Sequence, residues 1–250
     1  MTPTIRFVVL TALRDRLFVS LLGLLAVVFC VSLYLGEGAV FEKNEMAISF
    51  AAGGSRAALM LGLTVFVAFH VERIYETREI EAILSRSISR ASFIVSYWCG
   101  MVVVALLLTL PVVLFVFGFT LSLNGAMWWS LSLMLESCII LAFGLFAAIT
   151  IERAIPTIFT TVGFYGLCRL VSFVIGIATH GQQNGVNRVT NPLFEGIAMF
   201  IPRLDLFCQT RWLVYGPDAG EQLTLIPIQA VIFVAFLLAM TVFDLRRKQF

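Results

Sequence analysis

Two opposite charges, Glu136 and Arg169, stand inside long apolar runs of this 250-residue chain. A lone charge near the middle of a bilayer costs at least ~2.5–3.5 kcal/mol on insertion scales, so each needs an opposite charge, a polar cavity or water. Glu136 falls about nine residues into the run 127–150, and Arg169 about nine residues before the end of the run 156–178. At about 1.5 Å per residue each lies roughly 13 Å deep, and antiparallel neighbours would bring them to one level. The spacing predicts an ion pair that pins the two runs together; a place on a substrate pathway is the other reading. Arg56 lies near the outer end of another run and is expected to snorkel to the interface.

Other chemistry finds little support. The chain has no GxxxxGK[ST] phosphate loop, no GxSxG nucleophile turn and no HExxH zinc pair. His70 and His180 are far apart, with no cysteine at ligand spacing, so no metal site is expected. Cys30, Cys99, Cys138 and Cys168 fall inside apolar runs, where a small polarizable side chain packs well. Cys208 alone is expected to face the outer compartment, and one thiol builds no disulfide framework. Neither a catalytic residue nor a bound cofactor is expected, so the chain does not read as an enzyme.

The densest charge lies in residues 72–93, ERIYETREIEAILSRSISRASF, with four arginines and four glutamates. Ile80, Ile83, Leu84 and Ile88 recur at helical spacing, while Arg78, Glu81, Ser85 and Arg86 fall largely on the other side. The pattern predicts a short surface helix with its apolar face toward the rest of the protein. A loop that merely held positive charge would need only arginines, whereas these signs alternate. A protein-docking surface is the sharper expectation, and a solvated loop the plainer one.

The elements that position these residues must be membrane helices. Apolar residues make up 60% of the chain and charged ones 13%, against roughly 45–50% and about 25% in ordinary soluble domains. Runs long enough to span a hydrocarbon core of about 30 Å occur at 17–35, 50–71, 93–120, 127–150, 156–178 and 223–243. The first is too long for a signal-peptide core and lacks a good cleavage site, so it reads as an uncleaved helix. Residues 1–250 therefore form one all-α membrane domain of six spans. The excess of arginine and lysine at the N-terminus, in the charged run, at Arg153 and at the C-terminus puts both termini in the cytoplasm. A formal charge of +2 with no basic tract excludes nucleic acid as a partner.

The stretch REIEAILSRSISRASFIVSYWCG resembles the segment between the second and third spans of type-2 ABC exporter permeases. That family has a Glu-rich helix, an apolar pair, then Ser/Thr-x-Pro-Ile-Ser-Arg. Ile83 and Leu84 match the pair, Ser85 and Arg86 precede the proline position, and Ile88, Ser89 and Arg90 match the ending. Ser87 replaces the proline. The opening TIRFVVLTALRDRLF, with Phe7, Leu10, Leu13 and Arg14, is similar to the amphipathic elbow helix with which such permeases begin. Residues 180–222, too apolar for a solvated loop and broken by Pro192 and Pro202, sit where the family has short re-entrant helices.

The resemblance implies a coupling helix in which Tyr75, Glu76, Arg78, Glu79, Ile80, Glu81, Ile83, Leu84, Arg86, Ile88 and Arg90 dock a separate cytoplasmic ABC ATPase subunit. ATP and magnesium would belong to that ATPase. It also implies a second permease copy or a paralogue as partner, and a bacterial inner membrane. A secondary transporter or channel using Glu136, and a membrane scaffold that does not transport, are the competing classes.

Overall fold

The computed structural model describes residues 2–38, 43–77, 89–180, 202–217 and 223–247, and of residues 2–4 and 171–180 the backbone only. Among them all regular structure is helical: α1 (Thr2–Arg14), α2 (Arg16–Gly38), α3 (Lys43–Glu76), α4 (Arg90–Phe119), α5 (Leu123–Ile151), α6 (Ala154–His180), a 3-10 turn (Leu204–Leu206), α7 (Arg211–Tyr215) and α8 (Leu225–Arg247). Helices α2, α3, α4, α5 and α8 are each long and apolar enough to cross a membrane, and α6 contributes an apolar stretch over Ala154–Leu170. The architecture is that of an α-helical, multi-pass membrane protein.

Local chemistry sets the helix starts. Asp15 separates α1 from α2, and its Oδ1 accepts from the Leu17 amide at 3.0 Å. Ser89 starts α4 by accepting from the Ser92 amide at 3.2 Å, and Ser122 starts α5 by accepting from the Gly125 amide at 3.2 Å. Such caps satisfy amides that have no partner within the helix. Inside the helices, hydroxyls pair with their own backbone: Thr64 donates to Met60 O, Ser96 to Ser92 O and Thr241 to Leu237 O. These hydroxyls are thereby satisfied, and in hydrocarbon an unmade hydrogen bond costs several kcal/mol.

The apolar residues divide into a core and a lipid-facing shell. Helices α3 and α5 are the interior elements, with 61% of their apolar windows buried against 22–33% in α2, α4 and α8. Helix α5 packs on α3, α4, α6, α7 and α8, and its Trp129, Leu133, Ile139, Leu141 and Ala142 have no exposed surface. Trp129 is thus a core residue. On the outside, Val27, Leu114, Val231 and Phe236 are each more than half exposed, far beyond what water would tolerate over so much contiguous surface.

The small residues early in α3 do allow close approach. A side chain at Gly36 would meet the Cβ of Ala47, one at Gly54 would meet Val28, and one at Gly62 would meet Leu21. Helix α1 is present as expected and has two characters: Val8 and Ala12 are fully buried, while Phe7, Leu10 and Leu13 are exposed. Val8 packs where a side chain at Gly100 of α4 would otherwise stand.

Candidate functional site

Glu136, wholly buried on α5, is paired with Arg56 of α3, not with Arg169. The Arg56 Nη2 to Glu136 Oε1 distance is 2.5 Å, and the arginine is 5% exposed. The expected partnership fails because α3 begins at Lys43, earlier than the apolar run indicated. Arg56 is thirteen residues past Lys43, and Glu136 is thirteen past Leu123, so both lie about 20 Å along their helices. The two helices start at the same end and pack against each other. Arg56 is therefore already at the level of the carboxylate and has no need to snorkel.

Both arginines instead grip one irregular segment. Arg169 Nη1 donates to Leu204 O at 2.8 Å and to Phe207 O at 3.4 Å. Arg56 donates to Cys208 O at 3.2 Å and to Leu204 O at 3.4 Å. The segment 202–217 cannot satisfy its own carbonyls as a long helix would. At membrane depth such backbone persists only where protein completes its hydrogen bonds, and the two guanidiniums, with their several donors, do so.

Residue 208 shows the cost of this path. Cys208 has φ +50°, a left-handed conformation that costs a residue with a side chain roughly 1–2 kcal/mol. Its amide donates to Ser132 Oγ at 3.0 Å, and its carbonyl takes the Arg56 bond, which together offset the strain. The thiol, expected to face the outer compartment, is buried against Ser132 and the Trp129 carbonyl. Burial pushes its pKa well above the ordinary thiol range, and the Glu136 carboxylate pushes it further in the same direction. Such a thiol is no nucleophile.

The rest of this segment is clamped on the turn between α4 and α5. Leu213 O accepts from the amides of Leu121 and Ser122 and from Thr120 Oγ1. Leu204, Phe207, Trp212 and Leu213 are buried. Short helical elements do occur between the fifth and sixth apolar helices, as expected; the parts at 181–201 and 218–222 lie outside the described residues.

At the opposite end of the bundle lie the two ends of the charged run. Residues 78–88 are outside the described residues, so the expectations for Arg78, Glu79, Ile80, Glu81, Ile83, Leu84, Arg86 and Ile88 lie outside them too. Tyr75, Glu76 and Arg90 are described, the first two closing α3 and the third opening α4. The Tyr75 hydroxyl donates to Ile149 O at 3.3 Å, near the end of α5. Glu72 Oε1 accepts from the Ala154 amide at 2.9 Å and so caps α6. Arg90 Nη1 donates to Leu245 O in the last turn of α8. Both flanks of the charged run are thus bonded to other helices.

Sequence reasoning missed Arg56, Ser132 and Glu72. A signal for Arg56 was available: residues 43–49 contain neither Gly nor Pro, so nothing ends the helix before Lys43. His70 is buried between Phe66 and Tyr97, with ring centroids 5.2 and 5.7 Å away. A scan against protein-family models returns no match for this chain, and a search of the curated proteins returns none.

Proposed function

We propose that the chain is the membrane-spanning permease subunit of an ABC exporter, with six spans, both termini in the cytoplasm, and residues 74–90 as the coupling helix for a separate ATPase. One observation carries this reading. The charged run is held at both flanks, through Tyr75 to α5 and through Arg90 to α8, with Glu72 beside it capping α6. A push on the run would therefore be delivered to three further helices. A solvated loop has no use for such anchoring.

In this mechanism the ATPase pair closes on ATP and displaces the coupling helix. The flanking bonds pass that displacement to α5, α6 and α8. At the far end, α6 carries Arg169, one of the two guanidiniums that hold the segment 202–217, and α5 carries Glu136, which is paired with the other, Arg56. That segment acts as a re-entrant gate, released when these helices shift. The pathway would be completed by a second permease copy or a paralogue.

A second reading draws on Glu136 Oε2, which is buried without a hydrogen-bond partner among the described residues. A buried carboxylate oxygen left without a donor is what a secondary transporter would use at its binding site. The two readings separate on one experiment. Charge reversal at Glu79 or Glu81 in the purified complex should abolish ATPase association and substrate-stimulated hydrolysis while the melting temperature is kept. Full ATPase association in both variants would reject the permease reading. Transport that survives without any ATPase but is lost in Glu136→Gln would establish the alternative.

A further inference from the structure

A cavity of about 450 Å³ opens at the junction of α1, α2 and α3, lined by Thr11, Arg14, Asp15, Arg16 and Arg73. Three guanidiniums from three helices surround a single carboxylate. Asp15 Oδ1 also accepts from the Leu17 amide, and its one negative charge leaves two of the three guanidinium charges in the lining without a counter-charge there. Among the described residues none of the three arginines forms an ion pair, and all three are exposed. So much unneutralised positive charge in one concave site calls for an anion, and the planar fork of arginine suits a phosphate.

Where the cavity lies says which phosphate could reach it. Leu10 and Arg14 are four residues apart on α1, one turn along the same face, and Phe7 precedes them on that face. Phe7, Leu10 and Leu13 are exposed apolar residues on a helix whose other side is packed through Val8 and Ala12. An apolar stripe leading into a basic pocket matches the two parts of a phospholipid, acyl chain and headgroup.

We propose that this pocket binds a phosphate group, as presented by an anionic phospholipid headgroup at the membrane surface or by a soluble phosphate ester. The site ties the hinge between α1 and α2 to the end of α3 through one shared anion. It requires only that the chain sits in a membrane, and so stands or falls independently of the exporter reading.

The test is native mass spectrometry of the full chain released from micelles containing phosphatidylglycerol or phosphatidylcholine. The wild-type chain should prefer phosphatidylglycerol. Each of R14Q, R16Q and R73Q should lower that preference about fivefold, as the loss of one arginine near an anionic surface implies. The charge-matched single variants R246Q and R247Q, at residues that do not line the pocket, should keep most of it. No preference in the wild type, or equal loss in the control and the pocket variants, would overturn the proposal. Adding glycerol phosphate distinguishes the sources: displacement of the bound lipid identifies a soluble ester as able to fill the site, and its failure identifies the lipid headgroup.

Discussion

At the scale of single residues, the pairing of Glu136 with Arg56 makes a quantitative demand. Removing one partner of a buried pair strands the other charge, which typically costs ~3–5 kcal/mol, whereas replacing both costs far less. Thermal melting in detergent of Arg56→Met, Glu136→Gln and the double variant should show strong positive coupling. The same cycle with Arg169→Met should show much weaker coupling to Glu136, since Arg169 is spent on the Leu204 and Phe207 carbonyls. Additive effects in the first cycle would refute the pair. Cys208 gives a second check, because burial and the neighbouring carboxylate both oppose its thiolate. It should resist maleimide near neutral pH in folded protein and react once the chain is denatured; ready labelling of the native state would contradict its placement. The need of Glu136 for a partner was legible in sequence, because a charge in an apolar run must be compensated. Which arginine supplies it was not, because that depends on which helices share a starting end, and periodicity is silent on it.

Among the elements, the short α7 meets α5 at one very close approach. At Gly125, in the first turn of α5, an added Cβ would overlap the carbonyl oxygen of Trp212. That neighbour is backbone, already engaged by the Gly216 amide, and cannot turn aside as a flexible side chain would. Gly125→Ala should therefore push α7 off α5 and cost on the order of 1–3 kcal/mol, the usual penalty for overpacking. Protease accessibility around 211–217 should rise more than the global melting temperature falls; unchanged cleavage would show that the contact is loose. The long helices were legible because an apolar stretch of about 20 residues has few alternatives to a membrane helix. Most of their ends moved by a few residues outward, since helices continue into polar sequence until a cap or a breaker stops them, as Lys43–Glu76 does on both sides of its apolar run. The segment 202–217 was only partly legible. Its prolines and its apolar residues marked it as neither span nor loop, but its fold depends on two arginines more than 30 residues away in sequence or on other helices.

For the whole molecule, the distribution of charge between the two ends predicts how it sits in a bilayer. Hydrogen bonds from Tyr75, Glu72 and Arg90 gather the end of α3, the α5–α6 turn, the start of α4 and the end of α8 at one end. These elements bring Arg73, Arg90, Arg153, Arg246 and Arg247 together, and the elbow cavity adds Arg14 and Arg16. The opposite end carries Lys43, Arg203 and Arg211. Lysine and arginine near helix ends set orientation, so the arginine-rich end should face the cytoplasm. Single cysteines at Lys43 and at Asp218 should then react with a membrane-impermeant thiol reagent added to intact cells, and one at Lys248 only after the membrane is opened. The buried Cys208 should contribute little background to this assay. Labelling of Lys248→Cys from outside, with Lys43→Cys protected, would invert the orientation. It would put the charged run between α3 and α4 outside the cell, out of reach of any cytoplasmic ATPase, and remove the coupling mechanism with it. The reading of the elbow pocket would survive that outcome, because anionic headgroups can meet it from either leaflet.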